Sequence, residues 1–126
     1  MQYDAMYEGL TEHYKAMTFR QPLADQIASG EITEIIRKRG TSYRGDLMIV
    51  ASPLDAERGG MMVGMAELYD IRHTDEGYVY MFKNSRRLIE FPCQKSTMKG
   101  DVWDCYYTAG VVREYPRIKL NLKINV

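Results

Sequence analysis

Two cysteines in 126 residues are too few for a disulfide scaffold, and Cys93 and Cys105 lack the CxxC or Cys/His spacing of a zinc site. Both are read as reduced thiols. The two histidines, His13 and His73, lie far apart in sequence, and neither is expected to ligate a metal. No cofactor is expected. No apolar run approaches the roughly 18 residues that mark a membrane-spanning helix. The first residues, MQYDAMYEGLTEHYKAM, carry acids where a secretory signal has a basic region and an apolar run. A cytoplasmic protein with no membrane partner is expected. An excess of charge is missing too, because 17 Lys and Arg offset 17 Asp and Glu. Charge alone therefore gives no global field to hold a polyanion, and any nucleic-acid site has to be local.

What is present is ordinary globular composition, 45% apolar and 27% charged, in a length that suits one domain, residues 1–126, with one core. Tyr3, Met6, Tyr7, Leu10 and Tyr14 recur at helical spacing and predict an amphipathic N-terminal helix. Residues 17–19 read as a brief strand. Pro22 then suits a first helical turn, Leu23, Ala24, Ile27 and Ala28 form an apolar stripe, and Gly30 supplies a C-cap.

Residues 32–37 read as a strand that puts Thr33 and Arg37 on one face. Further strands are expected at 47–51, at 61–71 with Gly64 at a bulge or close backbone approach, and at 78–82. Asn84 is suited to cap a helical turn through Ile89, and strands follow at 102–108 and 111–115. The alternation in RIKLNLKINV, residues 117–126, predicts a half-buried last strand. Many short strands and few helices point to an α+β domain, a small closed or partly closed β-barrel decorated by helices.

The stretch FRQPLADQIASGEITEIIRKRGTSYRGDLMIVAS resembles the ASCH domain, a branch of the PUA-like β-barrels. It shows an RQP turn, a helix, a GEKTxExR-like signature, a Tyr-Arg-Gly turn and a buried strand. GMMVGMAELYDIR is similar to the family's glycine-containing central strand, and FKNSRRLIEFPCQKSTMKGDVW to its Asn-Arg-x-Leu, Pro and late Gly and Trp segment, so the resemblance spans about residues 17–104. It implies a cleft beside the signature and a ligand that is RNA or nucleotide-like. Some members of the family hydrolyse acetylated cytidine or cut RNA. An amidohydrolase or ribonuclease is therefore the alternative, and a protein-interaction module the second alternative.

At the positions where the family signature has a Lys and then a polar Glu or Thr, this chain has Ile32 and Ile35. Isoleucine offers neither a proton nor a lone pair, so a binding role is expected before a catalytic one, and no catalytic residue is assigned. The expected ligand-binding set is Arg20, Gln21, Glu31, Thr33, Arg37, Tyr43 and Arg44. Guanidinium forks match phosphate oxygens, Gln presents both a donor and an acceptor, and Tyr stacks on a base. Arg44-Gly45-Asp46 spells an adhesion tripeptide and is read as a turn. Met48, Met61, Met62 and Met65 are expected in the core, and Trp103 with the Tyr106-Tyr107 pair in the core or at a barrel edge.

Overall fold

The computed structural model describes residues 11–92, 100–108 and 110–115. In chain order the elements are β1 (Thr11–Phe19), α1 (Leu23–Ser29), β2 (Glu34–Arg37), β3 (Gly45–Ala51), β4 (Met61–Thr74), β5 (Gly77–Pro92) and β6 (Trp103–Thr108). The strands form one mixed six-stranded sheet in the order β2-β5-β4-β3-β1-β6. The β1–β3 pair is parallel, and the other pairs are antiparallel.

The outer strands β2 and β6 do not pair, so the expected barrel is corrected to an open sheet carrying one short helix. Alternation reveals which face of a strand is buried, but not which edges meet. With only 4 residues, β2 offers little backbone for a closing ladder.

The central strands bury both faces. On β3, Leu47, Ile49 and Ala51 join one apolar cluster with Met17, Phe19 and the α1 stripe, whereas Met48 and Val50 join a second with Met62, Leu88 and Trp103. Two cores separated by the sheet therefore replace the single one expected, because a strand buried on both faces sends alternate side chains to opposite sides. Helix α1 lies against the first cluster through Ala24, Ile27 and Ala28. It ends as expected at Gly30, whose φ of 85° lets its N–H return to the Ile27 carbonyl. Gly64 allows the helix to sit this low. A Cβ there would meet the Ala28 Cβ at 2.3 Å and the Arg86 carbonyl at 2.6 Å.

Three local expectations differ from the structure. Tyr14 lies on β1, which is much longer than the brief strand predicted. Partners on β3 and β6 outweigh the helical spacing that Tyr14 shares with the residues before it. No helical turn follows Asn84, since β5 continues to Pro92. Asn84 has a φ of 54° at a break in the β4–β5 register, so the residue type that favours caps here serves a bulge. Residues 111–115 make only the isolated Leu88–Glu114 bridge rather than a strand. The part of the predicted N-terminal helix before residue 11 and the strand over 117–126 lie outside the described residues. Among the described residues, no helix is long and apolar enough to cross a membrane.

Candidate functional site

The sheet coils enough for β2 to face β1 across an open seam, although three strands stand between them in the pairing order. Arg37 spans that seam. Its Nη2 donates to the Thr18 carbonyl of β1 at 3.1 Å, and its Nη1 donates to Asp101 Oδ1, just before β6, at 3.4 Å. The guanidinium also lies 4.8 Å from the centre of the Phe19 ring. Alternation explains its direction. On β2, Ile35 and Arg37 are half-buried while Glu34 and Ile36 are exposed.

A cavity of about 350 Å³ opens at this seam, lined by Thr18, Arg37, Ser52, Pro53, Leu54 and Asp101. Trp103 fixes one side, since its Nε1 donates to Thr18 Oγ1 at 2.9 Å and holds the segment bearing Asp101 against β1. The opposite wall is the loop between β3 and β4. The Ser52 N–H donates to the Phe19 carbonyl at 2.9 Å, and the Gly60 N–H closes the loop on the Ala51 carbonyl at 2.8 Å. Leu54, 76% exposed, stands at the mouth. The site thus combines a guanidinium, a carboxylate, a serine hydroxyl and apolar faces.

Arg20 and Gln21 secure that loop rather than line the cavity. Asp55, with its side chain only 9% exposed, accepts from Arg20 Nε at 3.0 Å and from the Gln21 backbone N–H at 3.2 Å. The Gln21 Oε1 caps α1 by accepting the Asp25 N–H at 3.0 Å. At the far end of the loop, Arg58 bridges Asp25 and Glu90, which raises its pKa through its hydrogen bonds to those two carboxylates.

The other expected residues are spread out. Glu31 and Thr33 are exposed on the turn after α1, and the Thr33 carbonyl accepts the Phe82 N–H at 2.8 Å. The Tyr43 hydroxyl donates to the Asp46 carbonyl at 2.6 Å, its ring packs on the first core, and burial pushes its pKa up. Arg44 donates to the Thr41 and Tyr43 carbonyls and lines a separate cavity with Gly40, His73 and Tyr78. Ile32 and Ile35 are half-buried against the first core. Of the seven, only Arg37 lines the seam cavity. Lys38, Arg39 and Arg44 are exposed and make no ion pair among the described residues.

Sequence reasoning missed Thr18, Ser52, Asp55 and Asp101. The available signal was the Gly100-Asp101-Val102-Trp103 run, where a single carboxylate stands two residues before a buried Trp. Among the described residues, no group of three or more His, Cys, Asp or Glu is arranged to hold a metal ion. No protein-family model matches the chain, and no curated protein matches its sequence.

Proposed function

We propose that the chain is an ASCH-type, PUA-like domain that binds RNA or a nucleotide-like ligand in the seam cavity around Arg37. The observation that carries this reading is the half-buried Arg37–Asp101 pair at the wall of a cavity of about 350 Å³. Guanidinium donors beside a carboxylate acceptor can read the mixed donor and acceptor edge of a base or hold one phosphate. Pro53 and Leu54 supply apolar surface for a ring. The volume lies at the small end of ligand cavities, roughly 300 to 1,000 Å³, and suits one nucleotide unit. Lys38 and Arg39, which follow Arg37 directly in the chain and make no ion pair among the described residues, add positive charge beside it.

A binding role is favoured over hydrolysis because Ile32, at the position of the family's signature lysine, packs on the core and has no group that transfers protons. The test is a thermal-shift screen of nucleosides, nucleotides and short RNAs, followed by calorimetry on the best ligand. A saturable ligand that the protein leaves unchanged on long incubation is the expected result. Clear turnover of acetylated cytidine, or no stabilisation by any of these compounds, would overturn the reading.

A further inference from the structure

A second cavity, of about 340 Å³, lies at the other end of α1, where Ser29 meets Ser85, Arg86 and Arg87 of β5. We infer that it is a binding site for a phosphate group, separate from the seam cavity.

The backbone here is shaped in a way that a plain strand is not. In a regular strand Ser85 and Arg87 would face one side and Arg86 the other. All three line this cavity. The register is irregular on both sides of the arginines: Met65 pairs with Arg86 while Glu67 pairs with Lys83, leaving Asn84 and Ser85 opposite Ala66, and Gly64 pairs with Arg87 while Met62 pairs with Phe91. Asn84 sustains the bulge at a φ of 54°, and its Nδ2 donates to Glu67 Oε1 at 2.8 Å. Bulges re-aim side chains, and these two flank the arginines that line the cavity.

The donors gathered there are poorly matched. Arg86 Nη1 donates to the Asn84 carbonyl at 3.3 Å, Nη2 points at the Met65 thioether at 3.5 Å, and Nε lies 3.6 Å from Glu114. A thioether is a weak acceptor, and the carboxylate is beyond hydrogen-bond range. Arg87 stacks on the Tyr115 ring at 4.6 Å and has no carboxylate partner among the described residues. Ser85 Oγ is buried with no hydrogen-bond partner among the described residues. Two guanidinium forks against one carboxylate leave net positive charge, and an orphan hydroxyl beside them can donate to an oxyanion. The α1 end does not oppose this strongly. Its Gln26 and Ile27 carbonyls are already taken by the N–H groups of Ile32 and Gly30.

The test is an NMR titration of the full chain with inorganic phosphate, read at the amides of residues 85–87 and at Arg86 Nε. Saturable shifts confined to this region are expected, at roughly millimolar affinity. Arg86→Ala should weaken binding at least about tenfold, and the exposed Arg87→Gln should weaken it several-fold. Ser85→Ala gives a readout that a purely structural role would not move. It should weaken phosphate while leaving the melting temperature unchanged or higher, since it removes a buried unsatisfied group. Shifts centred on Thr18 and Asp101 instead, or undiminished binding in both arginine variants, would overturn the inference. Acetate binding as tightly as phosphate would overturn the assignment of ligand class.

Discussion

Arg37 and Arg86 are nearly equal in burial, with side chains 28% and 29% exposed, yet they are held differently. Arg37 has a backbone carbonyl, a carboxylate and an aromatic face. Arg86 has a carbonyl, a thioether and a carboxylate that stands off. The first therefore contributes to the fold as well as to a site, because it links two strands that no backbone ladder joins. The second contributes mainly unused donor capacity. Equal burial does not mean equal structural weight, and the quality of the acceptors decides between the two roles.

The largest effect should come from filling the contact beneath the second arginine. Gly64→Ala places a Cβ against the Ala28 side chain and the Arg86 backbone, so the helix has to lift or the bulge has to shift. A cost of about 3 kcal/mol is expected, read as a melting temperature lower by roughly 10 °C. A variant as stable as the parent would show that the close approach is not a constraint.

Next comes the seam. Arg37→Ala removes the link between β2 and β1 and leaves Asp101 and the Thr18 carbonyl short of a partner, at a cost of about 2 kcal/mol in denaturant unfolding. Arg37→Lys should recover little of this, since an ammonium cannot reach both acceptors as a planar fork does. Arg86→Ala, the matched change at the other end of α1, should cost less than about 1 kcal/mol, because its partners are weak. If the two alanine variants lost equal stability, the contrast between the arginines would fail.

The smallest effect lies on the exposed β1–β6 edge, where Asp104 contacts both Lys15 and His13. The Lys15 ammonium first, and His13 second, hold the Asp104 carboxyl below its ordinary value of 3.8. A depressed carboxylate pKa contributes stability above the unfolded value and loses it as pH falls through the folded one. Asp104→Asn should therefore flatten the acid limb of the stability profile below about pH 3.8 slightly, and only at low salt. An acid limb unchanged at low ionic strength would show that the contact has no weight.

How much of this was legible in sequence depended on the range of the interactions. The α1 stripe from Leu23 to Ala28, its Gly30 cap and the close approach at Gly64 were readable because spacing and missing side chains report local geometry. Asn84 was misread because caps and bulges draw on the same residue chemistry, and only pairing with β4 distinguishes them. Tyr14 was misread for a related reason, since helical spacing gave way to the partners that β3 and β6 provide. At the site, Arg37 was legible from its place in the GEITEIIR run. Asp101 was not, because it lies far along the chain and reaches Arg37 only through the coiling of the sheet. Whether that sheet would close depended on contacts between its edges that no periodicity encodes.

The central claim is that the seam cavity binds a nucleotide-like ligand through Arg37, and calorimetry on the best ligand of the screen tests it most directly. Arg37→Ala, compared with the parent at a temperature where both are folded, should bind at least about tenfold more weakly, the loss expected of one charge-assisted contact. Arg86→Ala should bind that ligand as the parent does if contact is confined to the seam. Affinity unchanged by Arg37→Ala would contradict the account and leave Arg37 as a structural link alone.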